Sequence, residues 1–128
     1  MKYLITICSK EKSKSKKLLP AIKRYLSSRI SYVHKLSLET DAPMLILSGK
    51  YGLIKPSQNI PYYDQRLKED QVNDLVQLME KQLIDNKATE VTFYGQCKNE
   101  YGWAPYWQAI EQACKILDIK FDNVIVEE

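Results

Sequence analysis

Short apolar segments alternate with longer amphipathic segments along this chain. Four short segments have the apolar character and length of strands: residues 2–8, which are rich in β-branched residues, and residues 44–48, 90–94 and 120–126. Three segments repeat apolar positions at helical spacing: residues 21–39, 68–86 and 104–118. Strands and helices that alternate in this way predict parallel strands joined by right-handed crossovers.

The predicted fold is therefore α/β, a three-layer, mainly parallel four-stranded sheet with helices on both faces, Rossmann-like or flavodoxin-like. The length of 128 residues fits one domain over residues 1–128, and the chain shows no linker or internal repeat. Serines at positions 27, 28 and 31 weaken the first helix, so we allow for a break near Ser28.

Composition places the chain among folded proteins of ordinary polarity. It is 45% hydrophobic and 27% charged, with a net charge of +3. No apolar run reaches the roughly 20 residues that cross a bilayer, and residues 1–8 are too short for a signal peptide. Three cysteines without paired spacing argue against a disulfide framework. We therefore expect a cytoplasmic protein without a membrane partner.

Polar side chains collect where the predicted strands end. The carboxyl ends of parallel strands meet at one edge of a sheet, which is where such folds bind ligands. Three loops should meet there: residues 9–19, 49–67 and 95–104.

The second of these loops is the most unusual. The strand at residues 44–48 ends at a Ser-Gly pair, and a glycine-punctuated, tyrosine-rich loop follows. Its predicted substrate-binding residues are Ser48, Gly49, Lys50, Tyr51 and Tyr63. The alternative is that the glycines form a tight turn and the tyrosines cover the core.

The first loop has five lysines between positions 10 and 17. One interpretation is a solvated, mobile loop. The other is an anion site, because a loop that leads into a helix presents N–H groups and a favourable dipole to phosphate. On that interpretation Ser9, Lys10, Lys12 and Ser13 bind the substrate.

Two residues are candidates for catalysis. Asp64 would act as a general base or stabilise an oxocarbenium-like centre. Cys8 would act as a nucleophile whose thiolate is stabilised by Lys10 and Lys12. The structural alternatives are a turn or helix cap for Asp64 and a small buried hydrophobe for Cys8.

Trp103 is the aromatic residue of the third loop that we assign to substrate binding, while Trp107 belongs to the core. No metal site is expected, because the three cysteines and His34 share no ligand spacing. No cofactor is expected either.

Two motifs resemble a known group of proteins. Residues 46–56, followed by Ile60 and Tyr63-Asp64, are similar to the signature of the YaaA-related superfamily. Residues 8–13 resemble the Cys/Gly-x-Lys-Ser-Lys loop of small bacterial and phage domains within that group. The two motifs cover about the first half of the chain.

This resemblance implies a nucleotide, nucleobase or nucleic-acid ligand, since members of the group bind DNA or accompany nucleic-acid modification. Three hypotheses are open. The protein is an enzyme that cleaves a glycosidic bond or alters a base, a nucleic-acid-binding module, or a non-catalytic binder of small nucleotides.

Overall fold

The computed structural model describes residues 1–127. In chain order its elements are β1 (Lys2–Ile7), β2 (Leu19–Pro20), α1 (Ala21–Arg24), α2 (Ser28–Thr40), β3 (Met44–Ser48), β4 (Gly52–Ile54), β5 (Asn59–Ile60), α3 (Val72–Asp85), β6 (Glu90–Gly95), α4 (Ala104–Ile116) and β7 (Lys120–Ile125). A 3-10 turn at Glu69–Gln71 precedes α3.

The main sheet has the strand order β4-β3-β1-β6-β7. β1, β3, β6 and β7 run parallel, as the alternating pattern predicts. The expected count of four strands is wrong, because β4 pairs antiparallel with β3 at the edge of the sheet. Gly52 makes this hairpin possible with a φ of 72°, a left-handed conformation that glycine adopts without steric cost. β2 and β5 form a separate two-stranded sheet.

Helices cover the two faces of the sheet. Thr6 accepts a hydrogen bond from Arg29 of α2, while Phe93, in register with Ile5, packs 4.9 Å from the ring of Trp107 in α4. Consecutive residues of a strand point to opposite faces, so α2 and α4 lie on opposite sides. α3 packs against α4, on the same side.

The first predicted helix is divided in two. Tyr25 has an extended conformation between α1 and α2, and the hydroxyl of Ser27 accepts a hydrogen bond from the N–H of Ile30 at 3.3 Å. Serine at this position satisfies an N–H group that the helix leaves without a partner, so it starts a new helix. The limits of α3 and α4 lie within four residues of the predicted ranges 68–86 and 104–118.

β7 is an edge strand whose outer residues are exposed, while β1, β3 and β6 are buried along almost their whole length. Within residues 1–127, no helix has both the length and the apolar character needed to cross a membrane.

Candidate functional site

A cavity of about 560 Å³ opens where β1 and β6 end. The loop after β1, the start of α2, the loop before α3 and the loop before α4 contribute to its walls. The lining consists of residues 7–12, 26–29, 64–66, 101–103 and Tyr106. Two neighbouring parallel strands diverge into loops here, so side chains far apart in the sequence meet around one space.

A buried arginine shapes the lysine-rich loop, residues 9–17. The guanidinium of Arg24, which is fully buried, donates hydrogen bonds to the carbonyl oxygens of Ser13 (2.6 Å), Ser15 (3.0 Å), Lys17 (2.6 Å) and Ile60 (3.2 Å). Charged donors form strong hydrogen bonds, especially away from water. The backbone of residues 13–17 therefore wraps around the guanidinium of Arg24, which binds three of its carbonyl oxygens.

Lys12 is turned into the protein, although the lysines near it in the sequence are exposed. Only 9% of its surface is accessible. Its Nζ lies 4.8 Å from the ring centre of Tyr63 and 5.9 Å from that of Tyr25. Both distances are within the range of cation–π attraction. Lys12 is thus a recessed residue of the lining whose ammonium contacts two tyrosine rings, while Lys10 is an exposed residue of the lining.

The serines of this loop serve its backbone. Ser9 lines the cavity, and its hydroxyl donates to the carbonyl of Glu11 at 2.6 Å. Ser13 does not line the cavity. Its N–H and carbonyl pair with the carbonyl and guanidinium of Arg24, respectively.

A chain of buried hydroxyl groups lies behind the cavity. The Ser48 hydroxyl accepts hydrogen bonds from the N–H groups of Lys50 and Tyr51, both at 3.1 Å, and pairs with the Tyr63 hydroxyl at 2.9 Å. The Tyr63 hydroxyl also pairs with that of Tyr25. Burial raises the pKa of both tyrosines well above the usual value. These groups are neutral and satisfy one another.

Several predicted binding residues consequently do not line the cavity: Ser13, Ser48, Gly49, Lys50, Tyr51 and Tyr63. A Cβ at Gly49 would lie 3.1 Å from the Cβ of Leu67, so glycine permits a close approach between loops. Tyr51 packs edge-on against Tyr63 at 5.3 Å, and the exposed Lys50 covers the Tyr51 ring.

Both catalytic candidates line the cavity, in different settings. The Asp64 side chain is exposed and open to a ligand. Cys8 is 8% exposed, and its Sγ lies 3.6 Å from the Tyr106 hydroxyl. That hydroxyl accepts from the N–H of Leu67 at 3.2 Å, and burial raises the pKa of Tyr106. His34 does not line the cavity, so Cys8 has no imidazole base there.

Trp103 lines the cavity but is 7% exposed. The guanidinium of Arg29 lies 4.9 Å from its ring centre, and Phe93 packs against it. The predicted stacking of a ligand on Trp103 would have to compete with Arg29 for that face of the ring.

The lining residues that were not predicted include Arg29, Arg66 and Tyr101. Arg66 lies 4.5 Å from the ring centre of Tyr101, and its hydrogen bond and charge lower the pKa of that tyrosine. Arg29 stands in the first turn of α2, where a cation opposes the helix dipole. A cation in the first turn of a predicted helix is the sequence feature that could have indicated another role for Arg29.

The charge of the lining is positive. Among residues 1–127, the lining contains the cations Lys10, Lys12, Arg29 and Arg66 and the carboxylates Glu11 and Asp64. Among the described residues, no group of three or more His, Cys, Asp or Glu side chains is placed to hold a metal ion. The cavity is therefore suited to an anionic or polar organic ligand.

No curated protein and no solved structure matches this chain. The sequence pattern of one family, described as "Family of unknown function (DUF6884)", matches residues 3–121. The chain therefore belongs to this family of unknown function.

Proposed function

We propose that this protein binds a nucleotide or a nucleobase in the cavity at the ends of β1 and β6 and acts on it as a small hydrolase, a glycosidase-like enzyme or a base-modifying enzyme. One observation carries the proposal: a space of about 560 Å³ that combines four cationic side chains with an exposed tyrosine. Pockets for small ligands measure roughly 300–1,000 Å³.

The position of the cavity in the sheet supports this proposal. The parallel strands follow the order β3-β1-β6-β7. The chain therefore passes from β1 to β3 on one side of β1, and later crosses to β6 on the other side. The same reversal occurs in three-layer flavodoxin-like sheets, which bind a phosphate-bearing cofactor at that point. We assign this chain to the same three-layer, Rossmann-like class of arrangement.

The resemblance to the YaaA-related superfamily points in the same direction. Ser48 and Tyr63, which belong to the resembling motif, are hydrogen-bonded at 2.9 Å. Asp64 follows directly and lines the cavity. We propose that the motif is a support that presents Asp64, and that this scaffold is common to the YaaA-related group.

Among the catalytic candidates we favour Asp64. An exposed carboxylate in the lining is accessible to a ligand, as general-base catalysis or stabilisation of an oxocarbenium-like centre requires. The Cys8 thiol is mostly buried against Tyr106, and no histidine lines the cavity to take its proton. Nucleophilic attack by Cys8 is the weaker version of the proposal.

The second candidate is a non-catalytic module that binds nucleic acid. Its support is the exposed side chains of Lys14, Lys16 and Lys17, which lie outside the cavity on the same loop as Lys10. They would contact phosphates along a backbone, and such binding weakens steeply as salt rises.

A panel of nucleobases, nucleosides and nucleotides tests the proposal. Calorimetry would measure binding, and mass spectrometry would detect a cleaved glycosidic bond or an altered base. We expect saturable binding of at least one small compound and turnover that depends on Asp64. Binding to oligonucleotides alone, falling steeply with salt, would support the second candidate instead.

A further inference from the structure

Tyr101 is held in the cavity wall by a tight turn. The N–H of Trp103 donates to the carbonyl of Glu100 at 3.1 Å, and Gly102, between Tyr101 and Trp103, has a φ of 83°. A positive φ at the third residue is what a type II turn requires, and glycine supplies it. Trp103, the fourth residue, is buried with its ring against Phe93. The turn therefore fixes the position of Tyr101 next to a buried anchor.

Arg66 reaches the same place from the loop before α3. Its neighbour Leu67 is buried, and the N–H of Leu67 donates to the Tyr106 hydroxyl at 3.2 Å. The guanidinium of Arg66 lies 4.5 Å from the ring centre of Tyr101, which is within the range of cation–π attraction. One face of the Tyr101 ring is thus covered, and each member of the pair stands beside an anchored residue.

The rest of the Tyr101 ring is open. Tyr101 is 84% exposed, whereas the other two aromatic residues of the lining, Trp103 and Tyr106, are buried. Apart from its chain neighbours, a Cβ at Gly102 would meet no atom within 4 Å, so the space next to this turn is open as well. Within the described part of the lining, Tyr101 is therefore the aromatic ring that a ligand can cover.

We propose that Tyr101, supported by Arg66, is the platform on which the ring of a nucleobase stacks. This inference rests on the proposed function, and it assigns the base to one wall of the cavity. Every base has a flat face that stacks on an aromatic side chain. A tyrosine ring that is already held on one face loses little freedom when a base covers the other.

The platform also places the base near the catalytic candidate Asp64. Asp64 precedes Arg66 by two residues, so their Cα atoms are at most about 7 Å apart. Both residues line the cavity. The glycosidic bond leaves the edge of a base, so a base stacked beside Arg66 keeps this bond in the same part of the cavity as Asp64.

The test compares three probes: a nucleoside, ribose 5-phosphate, which lacks a base, and N-acetyltryptophan amide, an aromatic ring without a sugar. Calorimetry with the full chain measures each affinity. Tyr101→Ala removes the ring, and Tyr101→Phe removes only the hydroxyl. Tyr32→Ala removes a tyrosine that is 49% exposed and lies outside the lining, so it is the matched control.

We expect Tyr101→Ala to weaken binding of the nucleoside at least tenfold and binding of ribose 5-phosphate less than twofold. Tyr101→Phe and Tyr32→Ala should weaken nucleoside binding less than threefold. Equal nucleoside affinities of the parent and Tyr101→Ala would overturn the platform. Equal losses in Tyr101→Ala and Tyr101→Phe would overturn stacking and make the hydroxyl the binding group.

Arg66→Met tests the support of the ring. We expect it to weaken nucleoside binding at least threefold, because the Tyr101 ring loses the contact that covers one of its faces. The nucleoside is uncharged, so this loss does not report attraction to a phosphate. An unchanged affinity would remove Arg66 from the platform.

The same probes separate this inference from the proposed function. If nucleosides bind equally well to the parent and Tyr101→Ala, the platform is wrong and the proposed function stands. If N-acetyltryptophan amide binds through Tyr101 and nucleosides do not, Tyr101 binds aromatic rings, but the assignment to a nucleobase and the proposed function are both wrong.

Nitration of tyrosine rings by tetranitromethane tests the platform in the parent protein and does not depend on the folding of a variant. Mass spectrometry of peptides would follow Tyr101 and Tyr32 separately. A saturating nucleoside should slow nitration of Tyr101 at least fivefold and that of Tyr32 less than twofold. Equal rates of Tyr101 nitration with and without bound nucleoside would overturn the platform.

Discussion

The lysine-rich loop at residues 9–17 and the motif segment at residues 48–63 use polar residues in opposite ways. In the motif segment, the hydroxyls of Ser48 and Tyr63 bond to each other, to Tyr25 and to the backbone. In the lysine-rich loop, the side chains of Lys10 and Lys12 line the cavity. The segment with the more conspicuous motif therefore keeps its hydroxyl groups inside the protein, whereas the charged run contributes residues to the cavity lining.

The difference follows from hydrogen-bonding capacity. A hydroxyl both donates and accepts, so a set of hydroxyls can satisfy itself inside the protein. An ammonium only donates, and two ammonium groups repel each other. Lysines therefore need carbonyls, carboxylates, water or a ligand anion, and a cluster of them remains available for binding.

The largest expected effect concerns Asp64, which joins the two regions by following the motif segment and lining the cavity. If the protein is an enzyme, Asp64→Asn should lower turnover at least about 100-fold and leave ligand binding within about tenfold, because the amide keeps the shape but is a poor base. Mass spectrometry of nucleosides and nucleotides measures this. Asp70→Asn, an exposed position outside the lining, is the matched control. Equal turnover in all three proteins would remove Asp64 from the mechanism.

Arg24→Met should cause the largest loss of stability. Four carbonyl oxygens, one buried and three part-buried, lose a charged donor, so we expect the free energy of unfolding to fall by about 3 kcal/mol or more. Urea unfolding measures the change. Lys23→Met, the exposed neighbour in α1, should change it by less than about 0.5 kcal/mol. If the two variants were equally stable, the loop would not depend on Arg24.

Tyr63→Phe tests whether the motif segment is a support. It removes the hydroxyl between Ser48 and Tyr25, which should cost about 1–3 kcal/mol of unfolding free energy and leave ligand affinity unchanged. Tyr62→Phe, at the exposed neighbouring position, should stay within about 0.5 kcal/mol of the parent. A loss of affinity without a loss of stability would instead make Tyr63 a binding residue.

Lys10→Ala should have a smaller effect, and on binding alone. An exposed charge contributes roughly 0.2–1 kcal/mol to an ion pair, so affinity for a nucleotide should fall at most about fivefold. Thermal melting should be unchanged. Calorimetry compares the affinity of Lys10→Ala with that of Lys14→Ala, which changes an exposed lysine outside the lining. The comparison shows whether Lys10 acts through its position or only through net charge.

Alkaline titration distinguishes the two regions in the parent protein. Arg66 lowers the pKa of Tyr101 at the cavity, whereas burial raises the pKa of Tyr25 and Tyr63. Absorbance near 295 nm should show Tyr101 ionising first, and Tyr101→Phe should remove that step.

The buried tyrosines bind their protons more tightly in the folded protein than in the unfolded chain. Their contribution to stability is therefore complete below the unfolded pKa of about 10 and falls as the pH rises above it. Unfolding measured between pH 9 and 11 should show this decline, and Tyr63→Phe should make it shallower.

Local patterns predicted most of the fold. Residues 44–48 and 90–94 are apolar enough to identify buried strands, and the period of residues 68–86 identifies α3. The strand β4 was missed because a three-residue segment that begins with a glycine is too short to show a period. Pairing with β3, which is a tertiary contact, makes that segment a strand.

The sequence by itself determined the alternation of strands and helices, and with it the edge of the sheet where the loops collect. Only the tertiary structure decided which polar residues line the cavity. Whether a side chain points inwards depends on partners distant in the chain: Tyr25 for Tyr63, Tyr106 for Cys8 and Trp103 for Arg29. A single sequence does not encode these pairings as local patterns, because burial and hydrogen bonding are satisfied across the whole fold.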